Sequence, residues 1–328
     1  MTAKMYADSE ISLLPLKGKR VAILGFGNQA HAHALNLKES GIDVVVGLRE
    51  GSPSQEKAEA FGFTVTTLER AVQQSDLVMM LIPDEQMASA YREHVQPYLR
   101  AGQGLGFCHG FAVRFAQLDF PQDIDVFLVA PKGSGHALRK AFLEDSGLFG
   151  IFAIEQRVSA DIEAVAMAYA KGIGCTRLGL FQTTFKEETE TDLFGEQVVL
   201  CGGLPELIRH AFGVLLEAGY QPEMAYFEVL YECKLIVDLM LEKGLSGMRQ
   251  AISNTAEYGG YLTGPKVVGL SSRKAMEEVL AEIQSGAFAQ AFMRDTQSGN
   301  PDLTARRLRA SLDETEAAEE KIRRRLKG

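Results

Sequence analysis

The chain has little that would tie it to a membrane, a nucleic acid or an oxidising compartment. Its four cysteines, Cys108, Cys175, Cys201 and Cys233, are scattered, with no Cys-x-x-Cys pair. That spacing argues against a disulfide framework or a thiolate zinc site and reads as reduced thiols. Basic residues are in deficit: 34 Lys and Arg against 43 Asp and Glu leave a formal charge of −9. Nonspecific nucleic-acid binding is disfavoured, while local basic pockets for small anions are not. The opening MTAKMYADSEISLL lacks the basic-then-apolar pattern of an export signal, and no apolar run reads as long enough to span a membrane. Internal repeats and low-complexity tracts are missing too. The expectation is a soluble, cytoplasmic protein with neither a nucleic-acid nor a membrane partner.

What is present divides in two. The first half alternates helical stretches with short β-branched runs bounded by glycine: RVAILGFG, DVVVGLR, LVMMLIPD, GLGFCHG, VFLVAPKG and FGIFAIEQ. Buried parallel strands require such runs, and strand–helix alternation predicts a doubly wound parallel sheet of Rossmann type. From about residue 183 strand signals vanish, and helix-like runs follow over 190–218, 222–243, 246–258, 272–285 and 287–297. The expected organisation is an α/β domain over 1–182 and an all-α domain over 183–328, with a charged tail from Asp302 as a solvated helix or frayed end.

Gly25-Phe26-Gly27-Asn28-Gln29-Ala30 follows the first strong strand and opens a helix. This is a GxGxxA form of the dinucleotide fingerprint. Gly25 permits the tight turn, Gly27 lets backbone approach a pyrophosphate, and a small residue at position 30 lets helix and strand pack closely. After the second strand comes Gly47-Leu48-Arg49-Glu50-Gly51-Ser52-Pro53-Ser54. Arg49 can stack on adenine or pair with a 2′-phosphate, and Ser52 and Ser54 can donate to that phosphate, which favours NADPH. An inward-facing Glu50 would suit the 2′-hydroxyl of NADH instead, so NADH stays open as a secondary cofactor.

Two carboxylate pairs, Asp192/Glu196 and Glu228/Glu232, are each spaced four residues apart in apolar stretches. On a helix such residues share a face, where like charges repel. Hard divalent cations relieve that repulsion, and Mg²⁺, which takes oxygen ligands and keeps several waters, fits best. A solvated helix face is the duller alternative. Lys234 and Asp238 form an ordinary i,i+4 pair nearby and read as structural.

The run Thr189-Glu190-Thr191-Asp192-Leu193-Phe194-Gly195-Glu196-Gln197 resembles the signature of ketol-acid reductoisomerases. So do AYFE ending at Glu228, KLIVDL at 234–239, ISNTAEYG at 252–259, and, in the first half, GFGNQAHAHALNL, LIPDE, CHGF and APKGSGH. The likeness runs in register to about residue 300, at the length of the short form. It implies Mg²⁺-dependent alkyl migration and NADPH reduction of 2-acetolactate and 2-aceto-2-hydroxybutyrate, small acetohydroxy acids of valine and isoleucine biosynthesis. It also implies two Mg²⁺ ions, a knotted helical domain, and a homodimer with shared active sites, with a larger assembly such as a dodecamer open.

By the same resemblance, Asp192 bridges the metals, Glu196 binds one of them, and Glu228 and Glu232 serve the other. His109, Lys132 and Glu232 are catalytic, with His109 a proton relay or orienting group, and Ser253 donates to the substrate carboxylate. Asp84, Glu85, Gln86, Met87 and Gly135 join the fingerprint residues and Arg49, Ser52 and Ser54 at the cofactor. Each has a plainer rival: His109 as a loop residue, Lys132 as a surface lysine, Ser253 as a helix cap. Departures from the family pattern are Ala30 for glycine, Tyr231 for histidine, and Ser134 for proline, the last predicting a looser loop. A metal-independent hydroxyacid dehydrogenase and a nucleotide sensor are the competing readings, and neither needs four helical carboxylates.

Overall fold

A computed structural model describes residues 2–116 and 118–327. The chain divides into two compact units after Thr189, inside a helix. Among the described residues of the first unit, nine strands form one sheet: β1 (Met5–Tyr6), β2 (Arg20–Leu24), β3 (Asp43–Gly47), β4 (Thr64–Thr66), β5 (Leu77–Met80), β6 (Gly104–Phe107), β7 (Asp125–Pro131), β8 (Gly150–Gln156) and β9 (Leu180–Gln182). Seven helices are interleaved: α1 (Asn28–Glu39), α2 (Gln55–Ala60), α3 (Leu68–Gln73), α4 (Asp84–Ala90), α5 (Phe111–Phe115), α6 (Gly135–Leu143) and α7 (Ile162–Ile173).

The strand order is β1-β9-β8-β7-β6-β5-β2-β3-β4. Successive strands run outward in both directions from the β2/β5 boundary, so the crevice for a ligand opens beyond the carboxyl ends of those two strands. The five runs expected as parallel strands form β2, β3, β5, β6 and β7, all parallel, but the sheet as a whole is mixed. β8 runs antiparallel to β7, and β1 antiparallel to β9. The apolar runs read alike in either direction, because a strand buried on both faces carries no alternation that reports its polarity. The short strands β1, β4 and β9 were not anticipated either.

Side-chain alternation builds a core on each face of the sheet. On β7, Phe127 and Val129 join the cluster with α1 and α7, while Val126, Leu128 and Ala130 join the opposite one with α3 and α5. On β5, Leu77 and Met79 go one way and Val78 and Met80 the other. Each such side chain taken fully from water contributes roughly 1.5–3 kcal/mol.

The helical unit continues α8 (Phe185–Gly195) and holds α9 (Gly203–Glu217), α10 (Pro222–Tyr226), α11 (Glu232–Gln250), α12 (Asn254–Val267), α13 (Leu270–Ser285), α14 (Ala287–Gln297), α15 (Pro301–Ser311) and α16 (Glu314–Lys327). The helix expected over 246–258 is interrupted: α11 ends at Gln250, and Ser253 starts α12 by accepting from Ala256 N at 3.2 Å. Gly244 already kinks α11 with φ +71°, a conformation glycine adopts at little cost. The tail is not merely solvated. Ile322 of α16 is buried against Phe212 and Ala225.

Helix α8, a π-turn over Glu196–Leu200 and α9 make up a helical run, Phe185–Glu217, of 33 residues. It is long and apolar enough to cross a membrane by length and composition, contrary to the expectation that no run reached that length, and 6% of its most apolar stretch is buried.

Candidate active site

The turn after β2 carries the fingerprint. Gly25 has φ +97°, and a Cβ there would stand 2.6 Å from the Leu81 carbonyl oxygen, so only glycine fits. Gly27 is the N-cap of α1 and has open space where a Cβ would go, with no side chain capping the helix. The first backbone N–H groups of α1 therefore suit an anion. Gln29 Nε2 donates to the Gly133 carbonyl at 3.0 Å, while its buried Oε1 is left without a partner. Gly135 is buried so tightly against the fingerprint that a Cβ would meet the Asn28 carbonyl oxygen at 2.1 Å.

A cleft of about 440 Å³ opens beside this turn. Gly25, Phe26, Gly27, Arg49, Ser52, Ser54 and Gln86 line it, as a dinucleotide site requires. Asn28, Gln29, Asp84, Glu85 and Gly135 are near the turn or on the first turns of α4 and α6 but do not line the cleft. Met87 turns into the core beside Met80 and Tyr91, because its apolar side chain falls on the sheet-facing side of α4. Ser134 does not loosen its loop: its Oγ accepts from Ala137 N at 3.2 Å and caps α6, so capping replaces the rigidity of proline.

His109 follows β6 and Lys132 follows β7, at the carboxyl ends of adjacent parallel strands. A residue missed in the sequence joins them. Glu188 on α8, with its side chain 1% exposed, lies 3.2 Å from His109 Nδ1 and 3.8 Å from Lys132 Nζ through Oε1, and accepts from Gly110 N at 2.8 Å through Oε2. A buried carboxylate with two cationic-capable partners and a backbone donor is a satisfied one. The signal was there. Glu188, Asp192 and Glu196 extend the four-residue spacing one turn backward.

Both carboxylate pairs straddle a π-turn. Asp192 is on α8 and Glu196 opens the π-turn Glu196–Leu200. Glu228 lies in the π-turn Phe227–Tyr231 and Glu232 opens α11. Such turns interrupt α-helices mostly at functional positions, where the extra residue re-aims side chains. The all-oxygen donor set suits a hard divalent cation. Glu196, Glu228 and Glu232 are exposed, not enclosed by their apolar flanks; of the flanks of the second pair, Tyr231 is 56% and Leu235 51% accessible, while Phe227, Val229, Leu230, Cys233 and Ile236 are half-buried. Lys234 pairs with Asp238 along the helix. Ser253 caps α12, the plainer of its two expected roles.

The model of the acetohydroxy acid isomeroreductase NADPH-binding domain matches residues 15–179, and that of the ketol-acid reductoisomerase C-terminal domain matches residues 185–327. The chain belongs to the ketol-acid reductoisomerase family. An NADH-preferring ketol-acid reductoisomerase from an uncultured archean is 42% identical, with a TM-score of 0.94 and 98% of each chain covered. A semialdehyde dehydrogenase NAD-binding protein from Cupriavidus necator, solved with calcium and NAD, is 18% identical with a TM-score of 0.63, over 81% of this chain and 99% of that one. A 1-pyrroline-5-carboxylate reductase from Streptococcus pyogenes is 16% identical with a TM-score of 0.55, over 81% and 98%. The last two share the fold alone. This ketol-acid reductoisomerase is thus an oxidoreductase that uses a nicotinamide dinucleotide, with a Rossmann-type sheet unit and a helical unit.

Proposed function

We propose that this enzyme converts 2-acetolactate and 2-aceto-2-hydroxybutyrate to 2,3-dihydroxy-3-methylbutanoate and 2,3-dihydroxy-3-methylpentanoate, using NADPH and two Mg²⁺ ions. The observation that carries it is the pair of π-turns, each contributing one acidic side chain, Glu196 or Glu228, with its partner four residues away on the adjoining α-helix. Asp192, Glu196, Glu228 and Glu232 would hold the cations. When bound, the cations supply Lewis acidity and a template at the substrate oxygens, and the dinucleotide supplies the hydride.

The chain's own residues do the rest. Glu188 holds and orients His109 through Nδ1, and the imidazole relays a proton. The Lys132 ammonium stabilises negative charge that develops on the substrate. Ser253 Oγ accepts from the backbone of α12, yet its O–H is still a donor for the substrate carboxylate. Arg49, Ser52 and Ser54, all in the cleft lining, would take the 2′-phosphate of NADPH.

A second copy of the chain belongs to this reading. Many large apolar side chains of the helical unit lie open: Leu241 is 82%, Leu270 86% and Tyr258 70% accessible. Surfaces of that kind mark protein interfaces, and a homodimer would cover them beside Glu228 and Glu232.

The test follows oxidation of NADPH with 2-acetolactate in Mg²⁺, in EDTA, and with NADH in place of NADPH. Mg²⁺-dependent oxidation is expected, faster with NADPH. Folded protein that binds NADPH and oxidises none of it under any condition would overturn the reading in favour of a sensor.

A further inference from the structure

Among the described residues, three π-turns interrupt the helices. Two of them hold the proposed metal ligands Glu196 and Glu228. The third, Tyr91–Val95, extends α4 in the sheet unit and presents Glu93 and His94 to the dinucleotide cleft. No role assigned so far uses it. A π-turn adds one residue to a helical turn and shifts the side chains that follow it around the axis. Here its outer side chains line the cleft, while Tyr91 and Val95 are fully buried in the core.

His94 is held in place. Its Nδ1 lies 2.6 Å from Glu69 Oε1, and Glu69 sits in the first turn of α3, beside the cleft-lining Leu68. Fixing two part-exposed side chains only to bond each other would cost rotamer freedom for little gain. A ring fixed at one nitrogen, by contrast, is a preorganised flat surface. The cleft lining is chemically mixed. Arg49, Ser52 and Ser54 supply donors, Leu68, Ala90 and His94 supply apolar and planar surface, and Glu93 adds a carboxylate. Donors suit a phosphate, and a flat surface suits a purine.

We infer that His94, oriented by Glu69, is a positioning wall for the adenine ring of the dinucleotide, with Glu93 at the ring's polar edge. The inference rests on the cofactor reading of this cleft but not on the metal or the acetohydroxy acid. Because the adenine is common to NADH and NADPH, His94 sets affinity for both alike. Arg49, Ser52 and Ser54, which address the 2′-phosphate, set the choice between the two.

Calorimetric titration of the full-length protein separates these roles, using ADP as a probe that has adenine but no nicotinamide, and reduced nicotinamide mononucleotide as one that has no adenine. His94→Ala should weaken ADP by about fivefold or more, the range for losing an aromatic stacking partner of a base. Binding of the mononucleotide should stay within twofold (~2) of its starting value, since 1.4 kcal/mol is needed for about tenfold. His94→Phe, which keeps a flat ring and gives up the bond to Glu69, should restore most of the ADP affinity. ADP binding unchanged in His94→Ala, or lost equally in His94→Phe, would overturn the inference. So would failure of the unaltered protein to bind ADP at all. Failure of the acetohydroxy-acid reading would leave these titrations as they are.

Discussion

The carboxylate of Glu188 meets the His109 ring 79 residues away in sequence, Oε1 to Nδ1 at 3.2 Å. A carboxylate oxygen only accepts, so the bond puts a proton on Nδ1. Replacement of Glu188 by Gln keeps the shape and removes the charge. Turnover should fall about tenfold to a hundredfold, the usual cost of losing a supporting partner, while dinucleotide affinity stays put. Steady-state kinetics beside a dinucleotide titration check this. Equal loss of both would mean a fold defect.

Glu228→Gln should leave dinucleotide binding intact and collapse Mg²⁺-dependent turnover, by more than the roughly hundredfold of a supporting residue. The variant's Mg²⁺ titration should also move to higher concentration. A variant that turns over normally at low Mg²⁺ would remove Glu228 from the ligand set.

Ser52→Asp should turn the enzyme away from NADPH. A carboxylate set against the 2′-phosphate brings like charges together, at a cost of several kcal/mol when they are close. The ratio of kcat/KM for NADPH over NADH should fall by about tenfold or more, with NADH itself little changed. An unmoved ratio would mean that the 2′-position lies elsewhere.

His33 on α1 is fully buried, its Nδ1 2.8 Å from the Tyr169 hydroxyl, and burial holds its pKa down to about 3. The folded protein therefore keeps this ring neutral, whereas the unfolded chain protonates it below the ordinary histidine value of 6.5. The unfolded state binds the extra proton, so stability is lost as pH falls from about 6.5 towards about 3. Each pH unit of that span is worth about 1.4 kcal/mol, so the full loss is on the order of 5 kcal/mol. Denaturant midpoints at neutral and mildly acid pH should show this slope, and His33→Leu should flatten it.

Gly135→Ala tests the close approach of α6 to the fingerprint. The added methyl would meet the Asn28 carbonyl oxygen at 2.1 Å, and overpacking of this kind costs about 1–3 kcal/mol. Lower stability should come with weaker dinucleotide binding, because the displaced backbone is the pyrophosphate turn. Unchanged affinity for both cofactors would separate Gly135 from the site.

The parts legible in the sequence were local ones. Arg20–Leu24 followed by Gly25, Gly27 and Ala30 spells a strand, a tight turn and a helix start within a dozen residues, and each requirement is met by its neighbours. The spacing of Asp192 with Glu196 and of Glu228 with Glu232 likewise needs only one helix to be read. The break before Ser253 was harder, since a capping serine and a substrate-binding serine look the same until Ala256 N is seen to donate to it.

What tertiary structure decided is whatever depends on residues far apart. The reversed direction of β8 against β7 is set by pairing across the sheet, such as Leu128 with Ala153, and by the way α6 carries the chain back. An apolar run that is buried on both faces has no preference of its own. Glu188 looked like one acid among several in FKEETETD until His109, Lys132 and Gly110 N converged on it. The π-turn Tyr91–Val95 keeps its two end residues packed in the core while the side chains between them point elsewhere. Short-range pattern determined which segments form which elements, through propensity and periodicity. The partners, directions and helix registers came from long-range packing, where contacts between distant residues outweigh local preference.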